Sequence, residues 1–108
     1  MIKKHLRQIE KRIDSIKVKL ATIDEMRPGS LTRQYKDPEN KKGAYYQLSY
    51  TRAMRSRTEY VADGDVRDIR RQIENYKRFK ELTAEWVDLG IEHSRLKIKL
   101  ARQDDAPR

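Results

Sequence analysis

Few side chains in these 108 residues are placed to do covalent chemistry. Cysteine is absent, which removes thiolate nucleophiles, thiolate metal ligands and disulfides. His5 and His93 have no nucleophile at motif spacing, and a metal held between them would lack a third ligand. Asp63 and Asp65 flank Gly64 just ahead of a helical pattern, so they read as capping residues, not as an acid and base pair. The four glycines form no phosphate-cradling loop. No enzyme activity, cofactor or metal is expected.

What the residue pattern does offer is recognition of polyanions. The formal net charge is +9, with 26 Lys and Arg against 17 Asp and Glu. Basic residues concentrate twice. Residues 27 to 62 hold eight against three acids, and residues 1 to 20 hold seven against two. In the first of these stretches Arg33, Lys36, Arg52, Arg55 and Arg57 are the candidates to contact phosphates or bases, with Lys41 and Lys42 adding nonspecific attraction. Tyr35, Tyr45, Tyr46, Tyr50 and Tyr60 lie among them and offer rings on which unpaired bases stack. A plainer alternative stays open, in which the tyrosines form a small core and the arginines solvate its outer face. The lysines of residues 1 to 20 sit where any exposed helix places charge.

These side chains must be carried by two helices and a small sheet. Ile2, Leu6, Ile9, Ile13, Ile16, Leu20 and Ile23 alternate in steps of four and three, a heptad seam that predicts a helix over 2–26, closed by Arg27-Pro28-Gly29. A second helix over 65–102, with Asp65 as its N-cap, shows the stripe Val66, Ile69, Ile73, Tyr76, Phe79, Leu82, Trp86, Leu89, His93, Leu96 and Leu100. Pairing residues whose numbers sum to 102 matches seven layers, among them Ile16 with Trp86 and Ile9 with His93, the one polar layer. Residues 103–108 are expected to fray.

Between the helices, 30–61 reads as a three-stranded antiparallel meander with a polar turn over 37–43 and a tight turn near Arg52-Ala53. A three-residue second turn would put Ala44, Tyr46, Leu48, Tyr50, Met54 and Tyr60 on one face, whereas a two-residue turn would flip the parity of the third strand. The three-residue form is the expectation. The fold class is thus mainly α with small β: one domain, an antiparallel two-helix coiled-coil hairpin with an inserted β-meander at one tip.

The long helix carries a second stripe, Ala84, Val87, Ile91 and Ile98, on a different face. With Val18 on the first helix, it predicts that a second hairpin docks there as a twofold homodimer, or that a helix of a protein partner does. Gly90 is read as a point of close approach between helices. No apolar run reaches the roughly 18 residues a membrane span needs, and Lys3-Lys4-His5 leads into an amphipathic helix without a signal-peptide core. A soluble, cytoplasmic protein with no membrane partner is expected.

Met26-Arg27-Pro28-Gly29-Ser30-Leu31, Gln34-Tyr35, Gly43-Ala44-Tyr45-Tyr46-Gln47-Leu48-Ser49 and the segment Arg70 to Leu82 follow one another along the chain. Across about residues 26 to 98 the chain resembles a family of short bacterial and archaeal proteins of uncharacterised function, found with transposases and other mobile elements. Many of those relatives carry cysteines between the first two strands, where a metal knuckle would form; Asp37 to Gly43 has none here. The resemblance implies DNA-associated work, with DNA favoured over RNA and a transposase as a possible protein partner. It implies no catalytic residue.

Overall fold

In a computed structural model, which describes residues 1–105, the elements run α1 (Ile2–Ala21), β1 (Ser30–Asp37), β2 (Lys42–Arg52), β3 (Arg55–Val61), a 3-10 turn (Asp63–Asp65) and α2 (Val66–Asp105). The protein is mainly α with a small antiparallel sheet. It divides into two compact units: a helical unit of residues 1–23 with residue 79 onward, and a sheet unit of residues 24–78.

In the helical unit the apolar seam of α1 is the face that leaves solvent. Leu6, Ile9 and Ile16 are buried and Ile2, Ile13 and Leu20 half-buried, as is Ile23 just beyond the helix, while Lys3, Lys4, Arg7, Lys11, Arg12 and Lys17 are exposed. On α2, Leu82 is buried and Phe79, Trp86, Leu89, His93, Leu96 and Leu100 are half-buried. Polar contacts flank these residues. Arg12 Nε donates to Glu85 Oε1 at 2.6 Å, His5 Nε2 lies 3.0 Å from Glu92 Oε1, and Lys17 Nζ stands 5.4 Å from the ring centre of Trp86. Of these contacts, His5 with Glu92 and Arg12 with Glu85 follow opposite directions along the two helices. Glu85 holds the Arg12 guanidinium proton more tightly than usual, mainly through that hydrogen bond.

Two expectations change in this unit. The first helix stops at Ala21, five residues short of the predicted end, where Thr22 Oγ1 donates to the Lys19 carbonyl at 2.6 Å. Asp24 and Glu25 would put negative charge at the wrong end of the helix dipole. A stronger partner also takes them, as the sheet unit shows. At Gly90 a Cβ would meet nothing within 4 Å in the single chain. His93 Nε2 is buried 3.4 Å from Glu10 Oε1 but not in a direction that makes a hydrogen bond. At the far end α2 continues to Asp105, so residues 103–105, expected to fray, are helical, and residues 106–108 of that expected tail lie outside the described ones.

The sheet unit is ordered β1-β2-β3, antiparallel throughout. Leu31 pairs with Leu48 and Arg33 with Tyr46; Tyr46 pairs with Val61, Leu48 with Glu59 and Tyr50 with Arg57. Because directly opposed residues share a face, one face carries Leu31, Tyr46, Leu48, Tyr50 and Val61. These pack with Val66, Ile69 and Ile73 of α2 around fully buried Leu48. The other face carries Ser30, Thr32, Gln34, Lys36, Tyr45, Gln47, Ser49, Thr51, Ser56, Thr58 and Tyr60. That is why Tyr60 is exposed.

Arg52 pairs with Arg55, so the second turn has two central residues, Ala53 and Met54, rather than three. Both have positive φ, 52° and 63°, the backbone of a type I′ turn whose twist matches the flanking strands. The third strand is flipped relative to expectation. Met54 and Tyr60 leave the core face, and Val61, Glu59, Arg57 and Arg55 join it.

Gly29 closes the segment that enters the sheet. Its φ is 144°, and a Cβ there would lie 2.5 Å from Leu48 Cδ1, so only glycine lets the backbone pass over the core. Asp24 and Glu25 just upstream are held by Arg71 of α2. Its guanidinium reaches Asp24 Oδ1 at 2.6 Å, Glu25 Oε1 at 2.7 Å and Asp68 Oδ1 at 2.8 Å, while Asn75 Nδ2 donates to Asp24 Oδ1 and to the Glu25 carbonyl. The hydrogen bond from Glu25 N, and then Arg71, lower the Asp24 carboxyl below the usual range; Arg71 and Gln72 do the same for Asp68, and the three acids raise Arg71. This network, invisible in a linear reading, is what pulls residues 24–25 out of the predicted helix.

Candidate nucleic-acid interface

The seven basic residues singled out in the sequence do not form one patch. β1 pairs with β2 only as far as Ser30 opposite Ser49, so Tyr50–Arg57 continues as a two-stranded ribbon of three further pairs. Arg52, Arg55 and Arg57 are all on this ribbon. Arg52 stands directly opposite Arg55, and Arg57, two residues along the same face, stands opposite Tyr50. Lys41 and Lys42 belong to the β1–β2 turn at the other end of the sheet, where Asn40 hydrogen-bonds to Asp37 and Lys41 N to the Pro38 carbonyl. Arg33 lies on β1 with its guanidinium 5.5 Å from the Tyr35 ring centre, and Lys36 lies on the opposite face beside Gly43, Tyr45 and Tyr60.

The three ribbon arginines are exposed, and among the described residues no carboxylate pairs with them. Glu59, the acid on the same face of β3 as Arg55 and Arg57, is taken by Arg27, which also sits 5.2 Å from the ring centre of Tyr50. Arg70 covers Tyr46 in the same manner at 5.9 Å. The tyrosines are therefore divided. Tyr46 and Tyr50 are half-buried against the core under arginines, whereas Tyr45 and Tyr60 face outward with ring centres 6.4 Å apart. Like charges directly opposed across a strand pair destabilise a hairpin. Left-handed backbone at Ala53 and Met54 adds about 1 kcal/mol or more for each residue, which Asn-Gly would avoid.

Sequence reasoning missed Met54, which it assigned to the core face. It is 96% exposed at the ribbon end. The signal that would have found it is the pair count between Arg52 and Arg55, and that depends on turn length. Arg27, at the predicted helix stop, also takes Glu59 and so leaves the ribbon without its acid. The second α2 stripe is exposed as the spacing implies: Ala84, Val87, Ile91 and Ile98 on α2 and Val18 on α1 all face solvent in the single chain.

Residues 2–71 match the model of DUF6788, a domain of unknown function, and the chain belongs to that family. No curated protein and no solved structure matches it. No helix among the described residues is long and apolar enough to cross a membrane.

Proposed function

We propose that the protein is a non-catalytic nucleic-acid-binding protein that uses the β2–β3 ribbon as its contact surface. The observation that carries it is the set Arg52, Arg55 and Arg57, gathered on one face, two of them directly opposed, with no acid among them. Such an arrangement costs the free chain stability and gains it back against a polyanion. Duplex DNA is favoured over RNA, in a mobile-element setting in the cytoplasm, and the resemblance to transposase-associated proteins supports that setting. Lys41, Lys42, Arg33 and Lys36 add charge from the rest of the sheet.

The helical unit is the scaffold, an antiparallel coiled-coil hairpin supported by the heptad seam and its flanking polar contacts. The exposed stripe Ala84, Val87, Ile91 and Ile98 favours pairing of two such hairpins into a homodimer, with a mass near twice the 12.9 kDa of the chain in light scattering. The same stripe supports a second reading, a protein-interaction adaptor that receives a partner helix, for example from a transposase. A strictly monomeric chain would favour that adaptor.

The test is duplex affinity across salt concentrations for the wild type and for Arg55→Ala with Arg57→Ala. Loss of two phosphate contacts should weaken binding roughly tenfold or more at low salt and reduce the slope of log K against log salt by about two. Unchanged affinity for both DNA and RNA would remove the ribbon as the binding surface.

A further inference from the structure

The residue at the very end of the ribbon is not basic. Met54 exposes an unbranched thioether to water between Arg52 and Arg55, on a turn whose two residues both take a conformation that L side chains rarely adopt. Two features that separately weaken a free hairpin, left-handed non-glycine backbone and facing like charges, coincide here with an apolar side chain that the fold leaves in water. Backbone strain of this kind concentrates at functional positions. A turn serving only to reverse the chain would be built from Asn-Gly.

We propose that Met54 is a wedge: the ribbon end enters the minor groove of duplex DNA and the Met54 side chain inserts between adjacent base pairs, unstacking and kinking them. The inference rests on the nucleic-acid function proposed above and specifies its substrate and geometry. Apolar wedges flanked by basic side chains are how proteins bend DNA from the minor groove. The parts fit. Beyond β1 the three pairs Tyr50–Arg57, Thr51–Ser56 and Arg52–Arg55 extend roughly 10 Å at about 3.4 Å per residue, enough to reach the floor of a groove about 7.5 Å deep. The ribbon must widen that groove, and kinking toward the major groove does so. Arg52 and Arg55, on one face beside the wedge, then lie against the negative potential of the groove walls. Ala53 is small enough to let its neighbour advance.

The experiment is a bending assay by energy transfer on an end-labelled duplex of about 25 base pairs, run with affinity measurements on the full chain. Four proteins are compared: wild type, Met54→Ala, Ala53→Asn with Met54→Gly, and Arg52, Arg55 and Arg57 all changed to Ala. The wild type should raise transfer efficiency, and a minor-groove-binding drug should compete with it. Met54→Ala should keep affinity within roughly tenfold but lose the bend, since the phosphate contacts that dominate affinity remain. The Asn-Gly ribbon should melt at a higher temperature than the wild type and still leave the duplex straight, which separates loss of the wedge from loss of fold. The triple arginine variant should lose affinity itself. Bending by Met54→Ala equal to wild type, or wild-type binding without bending, overturns the wedge while leaving nucleic-acid binding in place. If no duplex binds at low salt, both fall. If Met54→Ala instead reduces binding to anionic vesicles and leaves DNA bending intact, the methionine is a lipid contact and the wedge is overturned.

Discussion

The helical unit and the sheet unit carry almost the same charge and arrange it in opposite ways. Residues 1–23 and 79–108 hold 13 Lys and Arg against 8 Asp and Glu, and residues 24–78 hold 13 against 9. In the helical unit Glu85 takes Arg12 and Glu92 takes His5, at positions that flank an apolar seam. Charge there annotates a packing face. In the sheet unit Arg71 gathers Asp24, Glu25 and Asp68 at one place and Arg27 removes Glu59 at another, so Arg52, Arg55 and Arg57 stand together on the ribbon with no carboxylate paired to them among the described residues. Net charge alone does not say where a polyanion would bind; the accounting of partners does.

The apolar cores differ too, and substitutions can sharpen the contrast. Leu48 is fully buried in a cluster of only three buried residues, so Leu48→Ala should cost about 3 to 4 kcal/mol and abolish cooperative unfolding of the sheet unit in denaturant. Ile16 is equally buried on the helical seam, where Ile16→Ala removes the same three carbons but should cost only about 2 kcal/mol, because a long seam relaxes around one gap. Equal costs for the two would erase the distinction between a small, concentrated core and a long, distributed one.

The glycines give the next contrast. Gly29→Ala drives a methyl into Leu48 at a positive φ and should destabilise by about 2 to 3 kcal/mol in chemical denaturation. Gly90→Ala meets nothing and removes a helix-interior glycine, so it should stabilise the chain by about 1 kcal/mol. A destabilising Gly90→Ala would instead favour the proposed homodimer, with another helix packed on that position.

The smallest effect is the response to acid. The Asp24 and Asp68 carboxyls titrate below their ordinary range, so the stabilisation they bring is complete above the unfolded value of about 3.9 and disappears as pH falls through the lower folded values. Comparing unfolding of the wild type and Arg71→Gln between pH 2 and 7 should show a difference at neutral pH that closes in acid. High salt should shrink it, because these groups are exposed. A difference independent of pH would mean that Arg71 acts by packing and not by charge.

Much of the fold was legible because it follows from repeating patterns. The seam of α1 and the stripe of α2 needed only the three-and-four spacing of apolar residues, and those positions are the ones withdrawn from solvent. The three strands and their order followed from short runs separated by turn residues. What could not be read were outcomes that depend on a distant partner or on a count of one. Asp24 and Glu25 lie outside the helix, bound by Arg71, which is 47 and 46 residues away respectively. Tyr60 and Met54 changed sides because one residue fewer in a turn reverses the parity of everything after it.

Composition, the seven-residue seam and the basic run between residues 27 and 62 were enough to establish two helices, a small sheet and an excess of positive charge, since each depends on residue type and local spacing alone. Tertiary structure decided which of the charges are left over. It joined Arg27 to Glu59, aligned Arg52 with Arg55 and left Met54 at the end of the ribbon, because strand register and long-range ion pairing are set by the partner each residue meets and not by its neighbours in the chain.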